Sequence, residues 1–254
     1  MSMDLQALLE KDYPGRGFII GKPNKTDILI AYFLTGRQEL FQSRYLAEES
    51  NCVFVRPSSK NIARKLDPDI HFYPAIIWNK FPLIGNYNIA VSNGKQTTAA
   101  HSSFLAHLES PINALTDAHE DWTYENDPEH TPRISCCIAN GKTIGNPQGY
   151  GDKAAMGIIK RGLGGQVERH YFEIPLITGK GKLMTTYDGP DVKSPPAFKG
   201  EPLDVQLANI SADNMARAIY DRLHNGYKIG VAVLYYNTQT HEKTIKRINK
   251  HASP

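Results

Sequence analysis

The stretch YNIAVSNGKQTTAAHSSFLAHL, residues 87–108, changes its period halfway along. Its first part, through Asn93-Gly94, reads as a strand ending in a turn. From Thr97 onward the spacing is helical, with Thr97 or Thr98 as the capping hydroxyl. A second helix is expected over SPINALTDAHEDW (110–122), and RISCCIA (133–139) returns to strand. A strand run therefore enters a helix pair and leaves it as another strand run. That order lacks the regular alternation of a doubly wound sheet and points to an α+β fold.

The flanks agree. GFIIG (17–21) and DILIAYFLTG (27–36) read as a hairpin, followed by strands at CVFVRP (52–57) and FYPAIIWN (72–79). Beyond residue 139, strands are expected at AAMGIIKRG (154–162), QVERHYFEIPLI (166–177) and KLMTTYDG (182–189). GPDVKSPPAFKGEP (189–202) is a long loop. A helix over SADNMARAIYDRLHNG (211–226) is capped by Ser211 and ended by Gly226, before a strand at 227–238 and an edge strand at KTIKRIN (243–249). Leu5–Leu9 suggests a short N-terminal helical turn. No linker or repeat divides residues 1–254, so one domain is expected.

Composition narrows the functional classes. Of 254 residues, 41% are apolar, enough for a substantial core, and the formal charge is only +3. Nucleic acid is not expected as a partner, because tracking a phosphate backbone needs clustered positive charge. Three cysteines without framework spacing fit a reducing compartment, and the cytoplasm is the expected location. No run has the length of a membrane span. No ligand spacing suggests a metal, and no cofactor is expected. Cys136 and Cys137 are neighbours in a strand and so face opposite sides, which suits buried small residues better than a nucleophile. Ser2 precedes a helix-like segment rather than opening a strand, which argues against a terminal hydroxyl nucleophile.

Four short constellations could carry chemistry. In TGRQELFQSR (35–44), Arg37 and Arg44 flank a polar loop and could hold a phosphomonoester, or could be solvated surface arginines. In AVSNGKQTT (90–98), the turn feeds a helix N-terminus that favours an anion. In YENDPEHTPRISCCI (124–138), Glu125 and Asp127 precede Thr131, Pro132 and Arg133 at the mouth of an apolar strand, and a carboxylate against apolar surface can exchange protons near neutrality. TTYDG (185–189) ends a strand in hydroxyls and the Tyr187 ring. Each has a purely structural reading as well.

Their order is more specific than any one of them. YPGRGFIIGK, YFLTGR…SR, IIWNKFPLIGNYNIAVSNGKQT, YENDPEHTPRI and TTYDG, spread over residues 13–240, resemble the archaeal-type IMP cyclohydrolase family and its bacterial relatives. The resemblance implies a four-layer αββα sandwich of two mainly antiparallel sheets, like that of N-terminal-nucleophile hydrolases but without a processed nucleophile. It implies closure of the purine ring of IMP from the formamido-imidazole-carboxamide ribotide (FAICAR), with loss of water. Glu125 is matched to the acidic catalytic residue, with Arg37 and Trp78 beside it. Arg44 and Arg133 join Arg37 as anion holders. Asn79, Asn93, Gly94, Gln96, Thr97, Tyr124, Thr131 and Tyr187 complete the expected substrate-binding set. Where relatives carry tyrosine before asparagine, this chain has Trp78-Asn79, and Thr98 stands where aspartate is frequent. Indole cannot shuttle a proton as phenol does, so a purine-nucleotide-binding protein with reduced or lost activity is the alternative. The expected partner is a small purine nucleotide, and a homo-oligomer is compatible with the pattern.

Overall fold

In the computed structural model, which describes residues 5, 11–81, 86–104, 106–107, 110–142 and 145–251, the expected hairpin forms from β1 (Arg16–Lys22) and β2 (Asp27–Thr35). Its turn is held by the Asn24 side chain, whose carbonyl accepts from the backbone of Thr26 and Asp27. Then come α1 (Glu39–Gln42), β3 (Arg44–Glu49), β4 (Cys52–Pro57), α2 (Lys60–Lys65), α3 (Pro68–His71), β5 (Tyr73–Phe81) and β6 (Asn86–Ser92). The helix pair is α4 (Gln96–Ser103) and α5 (Pro111–Ala118), followed by β7 (Arg133–Ala139), β8 (Lys153–Arg161), β9 (Val167–Ile174), β10 (Lys180–Thr185) and β11 (Leu203–Gln206). The chain closes with α6 (Ala212–Tyr220), β12 (Lys228–Asn237) and β13 (Lys243–Asn249).

The strands form two antiparallel sheets, one ordered β11-β10-β1-β2-β12-β13 and the other β3-β4-β5-β6-β7-β8-β9. Alternation along each strand gives every sheet two apolar faces. Phe18, Ile20, Ile30 and Tyr32 meet Val55, Ile89, Ile134 and Met156 between the sheets. The outer face of the six-stranded sheet packs Ile19, Leu29 and Val231 against Met215, Ala216 and Ile219 of α6. The outer face of the seven-stranded sheet packs Ala90, Cys137 and Ala155 against α4 and α5. These are the four layers of an αββα sandwich. One side is closed where Asn249 and Arg247 of β13 bond the backbone of Leu46 in β3.

Several boundaries differ from the sequence reading. Helix α4 begins at Gln96, with Lys95 as its N-cap and no capping side chain; the Thr97 hydroxyl instead bonds Gly94 O and Ser92. Ser211 does cap α6 through Asn214 N–H, but the helix stops at Tyr220, and residues 221–227 form turns whose hydrogen bonds run to Arg217, Ile219 and His224. Strands β3 and β11 were not anticipated. The suggested turn at Leu5–Leu9 lies outside the described residues except for Leu5. Among the described residues no helix is long and apolar enough to cross a membrane.

A polar island sits under the α4–α5 layer. His119 is fully buried, its Nε2 is 2.9 Å from Ser135 Oγ, and its ring stacks on Tyr171. Burial first, then the charges of Arg169 and Arg133, hold its pKa down to about 3. In the unfolded chain a histidine protonates near pH 6.5, so the unfolded state gains protons on acidification before the fold does. Stability is therefore full above about pH 6.5 and is lost progressively as pH falls toward 3. Replacing His119 with Gln, which keeps a polar partner for Ser135, is expected to flatten the fall in unfolding free energy between pH 7 and pH 4. Urea denaturation at both pH values measures it, and an unchanged slope assigns the acid sensitivity to other groups.

Candidate functional site

At one end of the sandwich the run Tyr13-Pro14-Gly15-Arg16 threads between the ends of β2 and β10. Gly15 O accepts from both Thr35 N–H and the Thr35 hydroxyl, and Arg16 O accepts from Thr186 N–H. Gly15 has φ +70°, and a Cβ there would stand 2.1 Å from Thr186 Oγ1 and 2.7 Å from the Tyr187 ring. Only glycine fits, and the close passage delivers Arg16, on the six-stranded sheet, across to the seven-stranded one. Its Nη2 donates to Glu125 Oε2 at 2.6 Å and its Nη1 to Asn93 O at 2.9 Å.

Glu125 lies on the loop that feeds β7. The loop closes on itself: Glu125 N–H bonds Thr131 O, and Asp127 accepts from both the backbone and the hydroxyl of Thr131. Behind it Asn93 joins three segments, donating to Pro132 O and accepting from Ile134 N–H and from Gln96. Gln96 Oε1 in turn accepts from Arg133 Nη1 at 3.0 Å, and Arg133 lies over the Trp122 ring. A Cβ on Gly94 would collide with Gln96 and Arg133 at 2.4 and 2.6 Å, so the glycine admits that pair.

Glu125 is fully buried, and desolvation raises its pKa against the opposing pull of Arg16 and Arg133. Arg133 Nη1 is 3.7 Å from Oε1, too far for a hydrogen bond, and Oε1 has no hydrogen-bond partner among the described residues. One carboxylate oxygen is thus clamped, and the other is buried without a hydrogen bond among the described residues.

A cavity of about 250 Å3 lies against this carboxylate, walled by Tyr13, Arg16, Arg37, Arg44, His71 and Tyr187 among others. Arg44, at the start of β3, is 4% exposed. Its Nε donates to Phe41 O at 2.7 Å and its Nη1 lies 3.4 Å from His71 Nδ1. Burial, with the charges of Arg44 and Arg16, lowers the His71 pKa to about 3, so the ring is neutral and can accept from the guanidinium. No ion pair among the described residues reaches Arg44. Arg37 stands at the rim and is already occupied: it bonds Asp191, Val192 O and Lys193 O of the 189–202 loop, lies 3.5 Å from Glu129, and packs over Tyr13.

The expected site residues therefore separate. Arg37, Arg44, Glu125, Thr131 and Tyr187 line the cavity. Asn93, Gly94, Gln96, Thr97 and Arg133 are held behind it as the buried support of Glu125, not as its lining. Tyr124 turns to the β8–β9 hairpin and donates to Gly165 O. Trp78 and Asn79 are elsewhere: Trp78 packs in the inter-sheet core beneath Lys243, and Asn79 accepts from Asn51. The physical reason is strand rise. Tyr73 is at the cavity end of β5, and five residues of strand carry Trp78 roughly 17 Å further along. Tyr73, whose hydroxyl pairs with that of Tyr32 at 2.8 Å and whose ring faces Arg16, is the phenol on that side. Cys136 and Cys137 face the two opposite apolar layers, and burial raises both thiols.

Arg16 was overlooked in the sequence, although Pro14-Gly15-Arg16 leads into an apolar strand just as Pro132-Arg133 does. Tyr13 opens the same YPGRGFIIGK motif, whereas His71 carried no comparable signal, since it sits in no such motif. Among the described residues no group of three histidine, cysteine, aspartate or glutamate side chains could hold a metal ion.

No curated protein matches the chain. The family described as IMP cyclohydrolase-like protein matches residues 13–240, nearly the whole length. With its two antiparallel sheets between helices, and a buried acid beside clustered arginines at one end, the chain belongs to the IMP cyclohydrolase-like family.

Proposed function

We propose that this protein is an IMP cyclohydrolase acting on FAICAR in purine nucleotide synthesis. The observation that carries the reading is the cavity's pairing of a buried, half-clamped Glu125 with a buried Arg44 that has no acidic partner among the described residues. A buried guanidinium without a counterion is costly unless an anion completes it, and a phosphomonoester matches its planar fork. Arg44 thus holds the 5′-phosphate, while Arg37, bound to Asp191 and Glu129, anchors the loops at the rim.

Ring closure needs a proton moved over a short distance. The carboxamide nitrogen attacks the formyl carbon and gives up one N–H proton as the formyl oxygen becomes a hydroxyl. That hydroxyl then takes the formamido N–H proton and leaves as water while the ring C=N bond forms. Glu125 Oε1 is the group that accepts the amide proton and passes it to the oxygen. Arg16 fixes the carboxylate's position and opposes the rise in its pKa caused by burial. Both reacting groups are on one imidazole ring, so holding the ribotide in place supplies much of the acceleration. The case for a binding protein without turnover rested on Trp78, which lies outside the cavity lining and so gives that alternative no support.

Conversion of FAICAR to IMP by the purified protein, without added metal, tests the reading; no conversion sinks it. Glu125→Gln is expected to lower kcat by roughly 100-fold or more, and an undiminished rate removes Glu125 from the chemistry. Glu125 works as a base once deprotonated, so activity falls on the acid side of its raised pKa. Arg16 pulls that pKa down, so Arg16→Gln should shift the acid limb of kcat/KM to higher pH. An unmoved limb breaks the link between the pair and catalysis.

Arg44→Met is expected to weaken IMP binding by about 10- to 100-fold while leaving the thermal stability of the ligand-free protein equal or higher, since it removes an unpaired buried charge. Calorimetry measures the first and thermal unfolding the second. Undiminished binding places the phosphate on another group.

A further inference from the structure

Tyr187 lines the cavity and is held there by several contacts. Its backbone bonds Pro14 O and bridges to Ala197, its ring stacks on Tyr13 at 5.7 Å, and its hydroxyl lies 2.7 Å from Thr131 Oγ1. The direction of that last hydrogen bond follows from counting protons. Thr131 Oγ1 also meets Asp127 Oδ2, while Asp127 Oδ1 accepts from Thr131 N–H. A carboxylate has no proton to give, so the single proton of the Thr131 hydroxyl goes to Asp127. Thr131 Oγ1 can then only accept from its other neighbour, and the phenol must spend its own single proton on it. What remains on Tyr187 for the cavity is a lone pair. Its hydroxyl makes no other hydrogen bond among the described residues.

We infer that Tyr187 is a specificity-determining residue that the Asp127–Thr131 pair fixes as a hydrogen-bond acceptor, so that it selects an N–H or O–H donor on the bound ribotide and turns away phosphate and carbonyl oxygens. The inference deepens the ribotide reading and rests on it for the nature of the ligand. The cavity that holds Tyr187 is also lined by the Glu125 carboxylate and by the donors of Arg44. A molecule carrying both an anion and N–H or O–H groups matches that lining.

Two measurements decide it, and they fail separately. Neutron diffraction from deuterium-exchanged, ligand-free crystals should place the Tyr187 deuterium on the line to Thr131 and the Thr131 deuterium on the line to Asp127. A Tyr187 deuterium pointing into the cavity overturns the inference whatever the ligand is. In solution, calorimetry compares IMP with 2′-deoxy-IMP, 3′-deoxy-IMP and 1-methyl-IMP, each lacking one donor, on the native protein and on Tyr187→Phe, which keeps the stack on Tyr13. One analogue should bind roughly tenfold more weakly than IMP to the native protein, with that gap closing in Tyr187→Phe. Gaps that are equal in the two proteins overturn the inference. Failure of IMP itself to bind overturns the ribotide reading instead and leaves the hydroxyl's direction to the neutron result.

Discussion

The ion pair between Arg16 and Glu125 is the constraint on which the site depends. It joins the two sheets, because Arg16 belongs to a strand of one and Glu125 to the loop that feeds a strand of the other. Neither partner is more than about a tenth exposed, so both have surrendered most of their hydration. Such a pair contributes little net stability, since desolvation offsets much of the attraction, yet breaking it by removing one member costs about 3–5 kcal/mol. Its structural effect is positional. Gly15 brings the arginine through a gap that no larger residue could share, Asn93 O takes a second guanidinium proton, and the carboxylate is left with one oxygen that has no hydrogen bond among the described residues.

Around that pair, charge is distributed with a direction. Arg133 approaches the carboxylate without bonding it and is itself held by Gln96 and Thr123 O. The buried amides of Asn93 and Gln96 hold β7, the turn after β6 and the first turn of α4 in one arrangement, so the acid's surroundings are rigid before any ligand arrives. Arg44 is the counterpart, a buried cation whose neighbours are a backbone carbonyl and a neutral imidazole. Arg37, by contrast, is bonded to the rim loop and paired with Asp191 and Glu129.

The architecture was largely legible in the sequence because it depends on period. The change from strand to helix after Asn93, the helix pair and the return to strand at Arg133 settle which faces are apolar, and the layers follow. Adjacent Cys136 and Cys137 facing opposite layers is the same logic at the scale of two residues. The short β3 and β11 were not legible, since they are edge strands of six and four residues with polar outer positions. Residues clustered in a motif, such as those from Glu125 to Arg133, were found. Arg16 lies in the YPGRGFIIGK motif but its role shows only once the two sheets are packed, and His71, outside any motif, reaches the cavity only through long-range packing. Trp78 shows the converse limit: a position matched along a strand says nothing of which end of that strand meets the cavity. Asn93 and Gln96 show another, for residues read as lining a ligand instead bond one another and Arg133.

The central claim is that one cavity binds a ribotide with its phosphate on Arg44 and its reacting amide at the unbonded oxygen of Glu125. A crystal structure of the protein with IMP tests it most directly. The account predicts the phosphate within hydrogen-bond distance of the Arg44 guanidinium and the ring nitrogen formed in closure facing Glu125 Oε1. Nucleotide bound with its phosphate away from Arg44, or with its base remote from Glu125, contradicts it.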